Sequence, residues 1–235
     1  MMMKHILLIV SIFISAVSLA QTKKLFSTTP DQIMNYRLLA QKAWEAKDST
    51  KALSYDDSIK GCIENSFIDN YDFKTVSGVS VTTGKITKPI LLLTSASWCS
   101  PCMAEIKPLN RIVEQYGDSV RFIVLFWDTR DKLSGMADRY NKGIALVPSA
   151  SREDAKDNSI NISGFRHVGG YPAAYLIANN KIIDYSVGAV CTSATVLNSK
   201  GQIETITLAT EEQAFNANYQ QLKSKVEKLL HNNSR

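Results

Sequence analysis

This chain of 235 residues is short of the side chains that hold metals, with three histidines and four cysteines. A zinc site built on Cys-x-x-Cys needs a second pair of Cys or His ligands at suitable spacing. Beyond Cys99 and Cys102 there are only Cys62 and Cys191, each standing alone, and past the start of the chain only His167 and His231. No metal site is expected. The chain also lacks a comfortable membrane span, since its longest apolar run, Ile6 to Val17, falls short of the roughly 20 residues a spanning helix needs. Charge is not concentrated either. The net charge of +5 is scattered, with a mild cluster at Lys223, Lys225, Lys228 and Arg235, so nothing marks a nucleic-acid partner. Internal repeats and low-complexity tracts are missing. What remains, 45% hydrophobic and 21% charged, is enough to bury a full globular core.

Residues 1–20 have a short basic start (Lys4, His5), the apolar run, then Ser18-Leu19-Ala20 before Gln21. That is the pattern of a secretory signal peptide with a small-residue cleavage site, an uncleaved anchor being the alternative. No Cys follows the site, which argues against a lipoprotein. The expected location is the periplasm or cell envelope, where disulfides form and persist.

The chemistry centres on Trp98-Cys99-Ser100-Pro101-Cys102. An apolar run, Pro89 to Leu93, precedes it and a helix-like segment from Met103 to about Tyr116 follows. The first turn of a helix has unpaired N–H groups and partial positive charge, which stabilise a thiolate. Cys99 is expected there with its sulfur exposed, and Cys102 one turn on and more buried. Cys99 would attack a disulfide and Cys102 would resolve the mixed disulfide. A purely structural short-loop disulfide is the bland alternative; Trp98 and the strand-to-helix setting favour the redox reading.

These residues resemble the Trp-Cys-x-Pro-Cys signature of the thioredoxin superfamily. Gly170-Tyr171-Pro172-Ala173-Ala174-Tyr175-Leu176-Ile177 resembles its second landmark, a cis-proline loop leading into a strand. The order of segments is similar to that of TlpA/ResA-type extracytoplasmic thiol-disulfide oxidoreductases, over roughly residues 73–188. The resemblance implies an α/β thioredoxin-like fold, a central mixed β-sheet flanked by helices, with an N-terminal helical and hairpin extension. Residues 21–64 would be that extension and 65–235 the thioredoxin-like domain. It implies a disulfide reductase of client proteins, fed by a membrane thiol reductase, with no cofactor beyond the Cys99–Cys102 disulfide. Trp98, Ser100, Pro101, Tyr171 and Pro172 would line the client site, the Tyr171 backbone pairing with an extended client strand.

The match has departures. The buried aspartate that thioredoxin carries six residues before its first active-site cysteine is replaced here by Leu93. Glu105, one turn after Cys102, would take over the tuning of the thiols: a nearby carboxylate raises a thiol's pKa and, protonated, can donate to a leaving thiolate. Thr-Thr after the proline is replaced by Ala173-Ala174. A peroxiredoxin reading fails on Ala96, where that family needs Thr. A copper-binding module would use both thiolates and His167, though its usual thiol spacing is one residue longer. His167 otherwise reads as a surface or loop histidine.

Along the rest of the chain, Thr29-Pro30-Asp31-Gln32 is a helix start with Thr29 as N-cap. Ile33, Leu38, Leu39 and Trp44 would form its apolar face, fading near Asp48. Phe67 to Val81 predicts a hairpin, and Ile90 to Leu93 a central strand apolar on both faces. Pro108 should kink the following helix. Arg121 to Trp127 is a buried strand capped at Asp128 to Arg130, with a helix over Lys132 to Tyr140. Val147-Pro148-Ser149 and Asn158 to Ser163 read as loop or short helix. Tyr175 to Tyr185 predicts a hairpin turning at Asn179-Asn180, and Ala189 to Thr210 an added hairpin. Cys191 and Cys62 are either paired or free. Phe215, Tyr219, Leu222, Val226 and Leu229 mark a closing helix over one sheet face.

Overall fold

Five strands form the centre of the computed structural model, which describes residues 23–150, 159–197 and 201–233. The leader-like residues 1–20 lie outside this set. The strands are β3 (Ile90–Ser95), β4 (Arg121–Thr129), β5 (Ile144–Ser149), β8 (Ala173–Ala178) and β9 (Lys181–Val187), arranged β5-β4-β3-β8-β9. β3, β4 and β5 run parallel, while β8 is antiparallel to β3 and β9 to β8. The sheet is therefore mixed. β3 is buried at every residue, as a central strand covered on both faces must be.

Alternation along these strands sends side chains into two cores. Leu91 and Leu93 of β3, Phe122 and Val124 of β4 and Ala174 and Leu176 of β8 face one side. They pack there on α3 (Ser100–Tyr116) and α5 (Glu211–Asn233). Leu222, Val226 and Leu229 of α5 are fully buried, at about 1.5–3 kcal/mol each, which fastens the closing helix where the spacing predicts it. Phe215 and Tyr219 sit at its half-buried margin. α3 runs on through Pro108.

On the other side, Ile90, Leu92, Ile123, Leu125, Tyr175 and Ile177 meet the N-terminal segment. That segment comprises α1 (Pro30–Glu45) and α2 (Ser49–Ile63), where the sequence suggests one helix. Asp48, expected as the end of a helix, caps α2 by accepting from the Lys51 N–H at 3.0 Å. Thr29 holds the N-cap position of α1, as expected, but makes no side-chain capping bond. Its hydroxyl donates backward to the Phe26 carbonyl instead. The apolar face of α1 also differs from expectation: Ile33, Ala40 and Ala43 are buried while Leu38, Leu39 and Trp44 are exposed. Small alanines let α1 approach α2 closely, so the larger side chains point outward.

The hairpin β1 (Asp72–Lys74) and β2 (Ser80–Thr82) pairs Phe73 with Val81, as expected. β4 extends to Thr129, so Asp128 is a strand residue and not a cap. The helix after it shrinks to α4 (Arg130–Ser134) and a 3-10 turn at Ala137–Arg139. Val147-Pro148-Ser149, read as loop, belongs to β5. An edge position tolerates the proline's missing N–H. Asn158 to Ser163 likewise overlaps a strand: β6 (Ile160–Ile162) pairs with β7 (Phe165–His167). Their two-residue turn, Ser163-Gly164, has positive φ at both positions (52° and 89°), the geometry that suits a tight hairpin. Asn179 and Asn180 do the same between β8 and β9. The added hairpin is present as β10 (Ser193–Leu197) and β11 (Ile203–Thr207); most of its expected turn, 198–200, lies outside the described residues.

Candidate active site

β3 ends where α3 begins, and the linking residues carry the two cysteines. Cys99 is the N-cap of α3, and its sulfur accepts from the Cys102 N–H at 3.2 Å. A sulfur in that place receives the unpaired donors of the first turn. Cys99 and Cys102 are joined as a disulfide. Both are buried, at 4% and 3% exposure, so the expected contrast between an exposed and a buried sulfur is absent. The reason is local: Ala96, Met103, Trp127 and Tyr171 pack around the pair.

The loop that presents the disulfide is pinned by a residue the spacing does not reveal. Asp128, buried at the end of β4, accepts from the Ser97 N–H and hydroxyl, each at 2.6 Å. Lys132 lies 3.3 Å from the same carboxylate. Charge-assisted bonds of this kind are about twice as strong as neutral ones. Trp98, next along, stands half exposed, edge-on to Trp127 (5.8 Å) and to Tyr171 (5.6 Å). Ser100 and Pro101 form the first turn of α3.

Across from the disulfide, the Tyr171–Pro172 peptide bond is cis, as the sequence suggests. Two hydrogen bonds hold the segment: Ala173 N–H donates to Thr94 Oγ1 at 3.1 Å, and Gly188 N–H to the Pro172 carbonyl at 2.8 Å. The Tyr171 hydroxyl is buried with no hydrogen-bond partner, and burial raises its pKa.

His167 is not at the surface. It is fully buried on β7, with Nδ1 2.7 Å from the Tyr175 hydroxyl and Nε2 3.1 Å from the Gly170 carbonyl. Burial pushes its pKa down to about 4, so it is a neutral imidazole at ordinary pH. With both nitrogens engaged, it braces the cis-proline loop from behind. The missed signal lies in the β6–β7 hairpin, whose three-residue strands are too short to show a period.

Glu105 is also buried, one turn beyond Cys102. Burial raises its pKa to about 7, and the charge of Lys225 on α5 partly opposes the rise. Lys225 is shifted down, by burial first, with Glu105 and Asp184 opposing. Cys62 is buried in α2 and Cys191 is half-buried, its sulfur donating to the Ser193 carbonyl at 3.2 Å; both are free thiols. Among the described residues no three His, Cys, Asp or Glu side chains gather as a metal site.

Beside the disulfide runs a groove of about 830 Å³, lined by Trp98, Ser100 and Met103 on one side and Cys191, Thr192 and Phe215 on the other. No described helix is long and apolar enough to cross a membrane.

No protein-family model matches the chain, and no curated protein matches it. Solved structures do. A structure assigned as thiol:disulfide interchange protein DsbE of Chlorobium tepidum is 17% identical, covering 69% of this chain and 94% of its own, with a TM-score of 0.43. A thioredoxin-like protein of Porphyromonas gingivalis is 19% identical, covering 69% and 91%, at 0.44. A secreted disulfide oxidoreductase of Mycobacterium tuberculosis is 16% identical, covering 68% and 96%, at 0.41. Strand order, the dithiol at the start of α3 and the cis-proline facing it make this a thioredoxin-like fold.

Proposed function

We propose that the protein is an extracytoplasmic thiol-disulfide oxidoreductase that reduces protein disulfides by exchange at Cys99 and Cys102. The observation that carries this reading is the Cys99–Cys102 disulfide at the helix start, packed against the cis-proline loop. In this reading Cys99, whose sulfur receives the Cys102 N–H, is the nucleophile. Its thiolate attacks a client disulfide, and Cys102 then attacks Cys99 and releases the reduced client. Trp98, Ser100 and Pro101 on one side and Tyr171 and Pro172 on the other form the client site, and the groove beyond Trp98 gives a polypeptide room.

The direction rests on the surroundings of Cys102. Apolar packing and a carboxylate nearby both disfavour a thiolate, so the reduced form gains none of the thiolate stabilisation that makes a couple strongly oxidising. Electrons would come from a membrane thiol reductase, and the leader-like residues 1–20 support an envelope location.

A redox titration of the Cys99/Cys102 couple tests the direction. A midpoint near thioredoxin's, about −270 mV, supports a reductase; one near about −120 mV, as in a strong oxidant, overturns it.

A further inference from the structure

Between Cys102 and Glu105 lies a small cavity, walled by Ser95, Tyr140, Leu93, Ile106 and Val124. Three polar groups from separate parts of the chain meet the resolving cysteine there. Ser95 ends β3, Tyr140 precedes β5, and Glu105 belongs to α3. Ser95 is 95% buried (5% exposed), and its hydroxyl has no hydrogen-bond partner. The Tyr140 side chain faces it, near enough to interact but outside hydrogen-bond geometry. An orphaned hydroxyl in a dry core costs about 1–3 kcal/mol, so its persistence calls for an occupant. The space left for the centre of a water molecule is about 10 Å³, close to the roughly 10–15 Å³ that one ordered water needs.

We propose that Ser95 and Tyr140 are positioning residues of the resolving step, their hydroxyls holding one water that carries the proton from Cys102 to Glu105. The inference rests on the dithiol reading above. Cys102 sulfur attacks Cys99 sulfur, and the bond between Cys99 and the client sulfur breaks. The client leaves as a thiolate with the electron pair, while the Cys102 proton passes through the water to the Glu105 carboxylate. Lys225 of α5 faces Glu105 from the other helix and supplies the positive charge that keeps part of the Glu105 population ionised; Tyr140 and Cys102 are its titratable neighbours at the cavity. With Glu105 near 7, resolution should rise with pH and level off above about that value.

The test is stopped-flow reaction of the reduced full chain with a chromophoric aromatic disulfide. A Cys191→Ser background silences the half-buried third thiol. The first equivalent of released thiolate reports attack by Cys99, the second reports resolution by Cys102. Ser95→Ala and Tyr140→Phe should each slow the second phase about tenfold or more, within the range of positioned proton transfer. Its pH profile should lose the plateau and climb with solvent hydroxide. A second phase of wild-type rate and pH profile in both hydroxyl deletions overturns the relay while leaving the dithiol reading intact. Absence of any second phase in the parent protein overturns both.

Discussion

Two buried titratable side chains give the molecule opposing pH responses. Glu105 has its folded pKa raised to about 7 from 4.5, so the stability it contributes is complete below about 4.5 and is lost as pH rises through 7. His167 is lowered to about 4 from 6.5; its contribution is complete above 6.5 and lost as pH falls toward 4. Between these limits the two slopes cancel in part. Glu105→Gln should therefore raise stability at pH 8 by up to about 3 kcal/mol. Its advantage should vanish near pH 4.5, and the variant should show the full acid loss of His167. Urea denaturation of the oxidised protein at three pH values checks both. The cysteines and Glu105 were legible because they are close in sequence. Asp128, His167, Ser95, Tyr140 and Lys225 were not, because only tertiary packing brings them to the site.

Elements differ sharply in what they contribute. β11 is exposed at every residue, and among the described residues β10 is its only strand partner. What fixes this insertion is Asn218 on α5, fully buried, which donates to the Val190 carbonyl and accepts from the Val190 N–H, both at 2.8 Å. Asn218→Ala leaves two peptide groups unsatisfied and should cost about 2 kcal/mol. Replacing 193–207 by a short flexible loop should cost less than about 1 kcal/mol, and thermal denaturation ranks the two. Long periodic elements such as β3, β4 and α5 announce themselves by apolar pattern. β5 with its proline, the tiny β6 and β7 and the alanine-faced α1 carry no such pattern, so their placement is decided by neighbours.

At the scale of the whole molecule, the N-terminal segment is built into the core. Phe26 is fully buried, stacked on Phe165 (4.8 Å between ring centres) and edge-on to Tyr175 (5.6 Å). Arg37 donates to the Val168 carbonyl beside His167, and Arg166 pairs with Asp31 at 2.7 Å. Phe67 bridges to both Leu25 and Lys181. Phe26→Ala should cost about 3–5 kcal/mol and lower one cooperative unfolding transition, seen alike by calorimetry and circular dichroism. Two separate transitions would show that the extension melts alone. The sequence suggests such packing only in outline, since the aromatic partners lie more than a hundred residues apart. The tryptophans are as unevenly placed as the charges are even: Trp44 is out on α1, while Trp127 packs against the cysteine pair and Trp98 stands edge-on to Trp127. A disulfide quenches the emission of an indole it touches, so opening it should brighten the protein, and in a Trp44→Phe variant the whole signal would come from the site. The chain thus carries an optical gauge of its own oxidation state, readable without a label.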